Sequence, residues 1–127
     1  MTEMISVETP DGEDATLLTM TIKDFIERNL KVEKNRRKVQ GAKFSATLHV
    51  TDMEVTTTIE FTGNKINIKN GGKQNADVII ETDFETLANV ANRTMSPLKA
   101  KLKKMVKTKG CIFKISKLLS VILVPIE

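Results

Sequence analysis

The sequence has few of the residues on which enzyme active sites depend. Its 127 residues include one histidine, His49, and one cysteine, Cys111. A multi-histidine metal site, a cysteine zinc site and an internal disulfide are therefore excluded. The available base is His49, and the available nucleophiles are Ser45 and Cys111. A lone histidine on the polar face of a strand, however, is usually solvated or merely hydrogen-bonded. The composition predicts a protein that is not an enzyme and has no catalytic residue, metal or cofactor.

Aromatic residues are also scarce. The chain has no tryptophan, no tyrosine and five phenylalanines, most of which fall at inward positions of the periodic patterns described below. Proteins that bind single-stranded nucleic acid stack bases on exposed rings, so specific nucleic-acid binding is not expected. Non-specific phosphate contact remains open.

Long apolar runs are missing as well. The segment from Leu118 to Ile126 is interrupted by Ser120 and Pro125, whereas a membrane-spanning helix needs about 20 apolar residues. The first residues do not form a basic and then apolar signal peptide. We therefore expect a cytoplasmic protein, and a single cysteine fits a reducing compartment.

Charge is divided unevenly along the chain. Residues 1–27 carry seven acids and one lysine, whereas nine cations and no acid lie between Glu85 and Glu127. The turn signal at Pro10, Asp11 and Gly12 predicts that residues 1–19 form a loosely ordered acidic arm, followed by one domain over residues 20–127. The basic stretch is either a solvated helix face or a surface that attracts phosphates of lipid or nucleic acid.

Hydrophobic periodicity predicts a mixed α/β fold. Helical spacing begins at Thr21, the predicted cap, and continues to about Gln40. Two-residue alternation then predicts strands. The predicted strands are residues 44–51, 55–62, 65–69, 76–82 and 106–115.

Further helices are predicted in the second half. Thr82 and Glu85 have the spacing of a capping box, and Ser96-Pro97 is a second helix start. The segment from Lys117 to Val124 is apolar on nearly every side, so a helix there must be covered by protein, a partner or lipid.

The order of the predicted elements, together with the residues of the second half, resembles the sterol carrier protein type 2 family. The similarity covers about residues 20–124 and is most specific at Ala76-Asp77-Val78-Ile79-Ile80, Ser96-Pro97-Leu98-Lys99-Ala100 and Lys107-Thr108-Lys109-Gly110. The chain departs from the family pattern at three positions. Lys101 replaces a phenylalanine, Lys104 a glycine and Cys111 an aspartate.

The resemblance implies a five-stranded, mostly antiparallel sheet covered by helices, with an apolar tunnel between them. Non-catalytic carriage of fatty acid, fatty acyl-CoA, sterol or an isoprenoid-like ligand is the implied function. On that basis the tunnel candidates are Phe84, Leu87, Ala91, Leu98, Leu102, Met105, Leu119, Ile122 and Leu123. The expected headgroup or membrane contacts are Lys99, Lys101, Lys103 and Lys104.

Two other functions remain open from the sequence. The chain would be an accessory subunit of a lipid-metabolising enzyme if the apolar C-terminal segment bound a protein partner. It would be a basic nucleic-acid-binding module if the lysines met phosphates of DNA or RNA. The expected partners are a long-chain lipid, an anionic membrane surface in transient contact and a second copy of the chain, with no specific nucleic acid.

Overall fold

The fold is given by a computed structural model, which describes residues 6–72, 75–92 and 106–122. Within these residues the chain forms six strands, four α-helices and a short 3₁₀ helix at Gly12–Asp14. The strands are β1 (Ser6–Glu8), β2 (Lys43–Val50), β3 (Val55–Thr62), β4 (Lys65–Asn70), β5 (Val78–Thr82) and β6 (Val106–Lys109). The helices are α1 (Leu17–Leu30), α2 (Glu33–Val39), α3 (Phe84–Ala91) and α4 (Ile112–Ile122).

All six strands belong to one sheet, in the order β1-β4-β3-β2-β5-β6. The pairs β1–β4 and β2–β5 are parallel, and the other three neighbouring pairs are antiparallel. The predicted mixed, mostly antiparallel fold is confirmed, but the count of five strands is wrong. The additional strand, β1, has three residues, which is too short for alternation to reveal it. The predicted boundary between residues 19 and 20 remains a prediction.

The alternating residues of the central strands place the core on one face of the sheet. Phe44, Ala46, Leu48 and Val50 of β2 are buried, and the Phe44 ring stacks on Phe61 of β3 with centroids 4.4 Å apart. The opposite face is polar but partly covered by Gly71 and Gly72, which follow β4 and lie against Thr47, Thr56 and Thr58. There the Thr58 hydroxyl donates to the Gly71 carbonyl oxygen at 2.7 Å.

The first predicted helix is two helices. Its start was predicted at Thr21, but α1 begins at Leu17, and the hydroxyl of Thr16 accepts a hydrogen bond from the Thr19 amide at 3.2 Å. Thr21 lies inside the helix and donates from its hydroxyl to the Leu17 carbonyl oxygen at 2.8 Å. The chain leaves the helical path at Val32, whose extended backbone begins α2.

The predicted capping box of α3 is also wrong. Thr82 is the last residue of β5, and the residue that precedes α3 is Asp83. The backbone amide of Phe84, which has no acceptor within the helix, donates instead to the Asp52 carboxylate at 3.0 Å. The first amides of a helix need an acceptor from outside that helix. For α3, a residue of the β2–β3 turn supplies it.

The last strand is shorter than predicted and the last helix starts earlier. β6 ends at Lys109, because Gly110 adopts a φ of +125° that a continuing strand does not allow. α4 then begins at Ile112, within the predicted strand. The helix predicted from Ser96-Pro97 lies outside the described residues.

The C-terminal half of α4 completes the core. Leu118, Val121 and Ile122 are buried in the cluster that also contains Ile22 and Ile26 of α1. α4 packs against α1 and α2. None of the helices in residues 6–72, 75–92 and 106–122 is long and apolar enough to cross a membrane.

Candidate functional site

An apolar groove of about 130 Å³ lies between the start of α1, the β2–β3 turn and the start of α3. Six of its lining side chains are apolar and two are threonines. The lining residues are Thr16, Leu17, Leu18, Thr21, Val50, Met53, Val55 and Phe84. None of these carries an acid, an imidazole or a thiol, so the groove offers packing rather than acid–base chemistry.

A polar network around Asn70 fixes the start of α1 beside the groove. The Asn70 side-chain oxygen accepts from the Thr16 amide at 2.9 Å and from the Thr19 hydroxyl at 2.8 Å. Thr19 is buried, and its hydroxyl lies 3.1 Å from that of Thr57 on β3. Because buried hydroxyls are costly without partners, this network holds Leu17 and Leu18 at one position over the sheet.

The opposite wall is fixed by contacts between the β2–β3 turn and the start of α3. The bond from Phe84 to Asp52 is supported by the Thr51 amide, which donates to the Thr82 carbonyl oxygen at 2.9 Å. Met53 and Phe84 therefore lie on two segments that are tied together.

The rim of the groove is open to solvent. Leu17 is 77%, Met53 50% and Phe84 46% exposed, whereas Leu18 and Val50 are buried at its base. Large apolar side chains that converge on a concave surface are typical of ligand sites.

The predicted tunnel residues are only partly brought together. Phe84 lines the groove, Leu87 is half-buried against the core, and Ala91 ends α3. Leu119 is half-buried and Ile122 is part of the buried core. Outside the described residues lie Leu98, Leu102, Met105 and Leu123, together with Lys99, Lys101, Lys103 and Lys104.

Most groove residues were missed by sequence reasoning. Leu17 and Leu18 lie in the segment that was predicted to be a loose arm, and Met53 lies in a turn. A signal was present, because Thr16 followed by two leucines has the pattern of a capped helix start.

The reactive side chains lie elsewhere. His49 is half-buried on the polar face of the sheet, where the strand register places it opposite Thr56 and Glu81. Ser45 is buried, and its hydroxyl accepts from the Asp77 amide at 3.3 Å. Cys111 is exposed before α4, and the backbone amides of Lys114 and then Phe113 lower the pKa of its thiol. No cluster of three His, Cys, Asp or Glu residues that could hold a metal occurs in the described part of the chain.

Several solved structures are similar to this chain in fold. The inverting sec-alkylsulfatase Pisa1 from Pseudomonas sp. matches with a TM-score of 0.69 and 17% identity over 88% of this chain. The chain spans 17% of that enzyme's length. A sterol carrier protein 2 matches with a TM-score of 0.61 and 19% identity, over 80% of this chain and 87% of that one.

A third similar structure is the apo form of sterol carrier protein 2 from Yarrowia lipolytica. It has a TM-score of 0.61 and 11% identity, over 88% of this chain and 94% of that protein. The comparison with curated proteins gives no match.

The mixed sheet, with α1, α2 and α4 contributing to its core, has the fold of these sterol carrier protein structures. The sequence matches the SCP-2 sterol transfer family over residues 22–122. The chain belongs to this family, and the resemblance seen in the sequence is confirmed.

Proposed function

We propose that this protein binds and carries an apolar lipid without chemical change, and that the groove beside α1 and α3 holds part of the lipid's hydrocarbon. The supporting observation is the groove itself, with six apolar lining residues in a member of the SCP-2 sterol transfer family. Fatty acid, fatty acyl-CoA, sterol and isoprenoid-like ligands are the proposed class.

The size of the groove limits how much of a ligand it covers. A cavity of about 150 Å³ accommodates benzene, so a groove of about 130 Å³ holds one ring or a short stretch of chain. Each methylene group moved from water into it contributes about 0.8 kcal/mol. A long-chain ligand therefore places only part of its length in the groove, and the predicted tunnel would cover the rest.

The proposal that the protein is not an enzyme is supported by the distribution of reactive groups. His49 lies next to Val50 on the same strand, but adjacent strand residues point to opposite faces of a sheet. Cys111 lies between β6 and α4, and the groove is at the other end of the sheet. A bound hydrocarbon in the groove would thus meet no acid, base or nucleophile among the described lining residues.

Two methionines allow a matched test of the groove. Met53 lines it, whereas Met20 is similarly exposed on α1 but does not. Met53→Asp should weaken binding of a fluorescent long-chain fatty acid at least tenfold, because the hydrocarbon would bury an unpaired carboxylate. Met20→Asp should bind like the unaltered protein. Equal affinity of both variants would contradict the proposal.

The two remaining functions predict different outcomes for the purified chain. An accessory subunit would retain little lipid. Native mass spectrometry of gently purified protein measures how much lipid the chain retains. A nucleic-acid-binding module would bind duplex DNA or single-stranded RNA tightly at physiological salt and would not bind the fatty acid. A carrier should retain the fatty acid with either nucleic acid present. The proposal also includes contact between lipid headgroups and four lysines, Lys99, Lys101, Lys103 and Lys104.

A further inference from the structure

The first turn of α4 presents two large apolar side chains to solvent. Ile112 is 73% and Phe113 76% exposed, although the same helix buries Leu118, Val121 and Ile122 in the core. Isolated exposed apolar residues are common. Two adjacent ones with this exposure at a helix start form an apolar patch, and removing its surface from water is favourable.

The contacts around Gly110 keep this patch outside the core. A Cβ atom at Gly110 would lie 2.3 Å from the Asp77 carbonyl oxygen, so the chain passes directly against the start of β5 before α4 begins. Helical spacing then places Ser116 and Lys117 on the same outward side as Ile112 and Phe113, and both are exposed. The inward side of the helix is occupied by its buried residues.

Positive charge surrounds the patch. Lys109 precedes it at the end of β6, and Lys117 follows Phe113 by about one helical turn. Lys114 is paired with Asp77 at 3.7 Å, and Lys107 lies opposite Glu81 in the β5–β6 register. No acid occurs between Glu85 and Glu127. We call Lys109, Ile112, Phe113 and Lys117 the α4 surface.

We propose that the α4 surface docks on an anionic lipid bilayer, with Ile112 and Phe113 entering the interface and the lysines contacting phosphate groups. Apolar side chains next to lysines are the composition of peripheral membrane-binding segments. A second copy of the chain fits this surface less well, because two identical lysine-rich surfaces repel each other. Charge complementarity thus favours the bilayer.

The α4 surface and the groove lie at opposite ends of the sheet. Gly110 contacts Asp77, just before β5, whereas Phe84 follows the end of β5. At about 3.3 Å per strand residue the two sites are roughly 20 Å apart. Docking on a bilayer and filling of the groove can therefore be tested separately.

Lysine neutralisation with a matched control tests the charge. Lys109→Gln with Lys117→Gln should weaken co-sedimentation with vesicles of phosphatidylcholine and phosphatidylglycerol about 25-fold, since each lysine contributes about fivefold. Lys65→Gln with Lys69→Gln removes the same charge from β4, toward the other edge of the sheet, and should change binding little. Equal weakening in both double variants would overturn the proposal, because only net charge would then matter.

A tryptophan reporter tests insertion. The chain has no tryptophan, so Phe113→Trp supplies the only indole emission. This emission should shift to shorter wavelength on the anionic vesicles and be quenched by brominated acyl chains, and pure phosphatidylcholine vesicles should have little effect.

Met53→Trp, at the groove end, provides the comparison and should keep its aqueous emission. A vesicle-induced shift in the Met53→Trp variant without one in the Phe113→Trp variant would show that the other end of the protein docks and would overturn the proposal. A blue shift of the Phe113→Trp variant without lipid, together with a dimer in sedimentation velocity, would assign the α4 surface to a second copy instead.

Discussion

Asn29 on α1 donates a hydrogen bond from its side-chain nitrogen Nδ2 to the carbonyl oxygen of Val121 on α4, at 2.8 Å. The same nitrogen donates to the Phe25 carbonyl oxygen at 2.9 Å, and the Asn29 side-chain oxygen accepts from Asn35 at 3.0 Å. Asn29 is buried, and carbonyl groups in the last turn of a helix have no partner within that helix. This one side chain therefore joins α1, α2 and the end of α4.

Removing that side chain should destabilise the helical layer. Asn29→Ala leaves a buried carbonyl and the Asn35 amide without this partner, so we expect the free energy of unfolding to fall by about 3 kcal/mol. Urea denaturation measures the change. Asn64→Ala, at an exposed turn, should stay within about 0.5 kcal/mol. A similarly small loss at Asn29 would show that the helices are held by apolar packing alone.

Two buried threonine hydroxyls should respond differently to replacement by valine. The Thr86 hydroxyl on α3 is buried without a hydrogen-bond partner in the described structure, whereas that of Thr57 lies 3.1 Å from the Thr19 hydroxyl. Thr57→Val should cost about 1–2 kcal/mol, and Thr86→Val should be neutral or stabilising. Thermal unfolding of the two variants compares them, and a larger loss at Thr86 would indicate a partner that the structure does not show.

Gly110 should tolerate no side chain. A Cβ atom there meets backbone atoms of Asp77 and requires an unfavourable positive φ, so Gly110→Ala should cost about 3 kcal/mol or more. Gly71 also has a positive φ, but a Cβ atom there has no neighbour within 4 Å. Gly71→Ala should therefore cost only about 1 kcal/mol, and chemical denaturation of both variants should preserve this order.

Cys111 should react with alkylating reagents at lower pH in the folded protein than in urea. The Lys114 and Phe113 amides favour the thiolate and lower the pKa of Cys111, and the thiolate is the nucleophile. A depressed pKa adds stability above the unfolded-state pKa, and this contribution is lost as the pH falls through the folded-state pKa. The rate of iodoacetamide alkylation against pH measures the shift, and identical midpoints in both states would exclude it.

The central strands could be predicted from the sequence because their alternation records which face is buried. Phe44, Ala46, Leu48 and Val50 all fall on the core side, as predicted. The helix starts could not be predicted as well, because they depend on distant partners. Thr16 begins α1 with the support of Asn70, and Phe84 begins α3 with the support of Asp52.

The groove was harder to predict than the sheet for a related reason. Leu17, Met53 and Phe84 come together from three segments, and no local pattern links them. The sequence predicted a strand over residues 106–115. The chain turns at Gly110 instead, and a helix begins at Ile112. Phe113, which lies within the predicted strand, is therefore on the helix and exposed.

The central claim is that hydrocarbon lies in the groove beside α1 and α3, and intermolecular nuclear Overhauser effects between a bound long-chain fatty acid and the protein's methyl groups test it most directly. We predict contacts from the acyl chain to the Met53 Cε methyl and to the methyls of Val50 and Val55, with none to Met20. The claim would be contradicted by a folded protein that binds no fatty acid, or by a bound acyl chain whose contacts avoid Met53, Val50 and Val55.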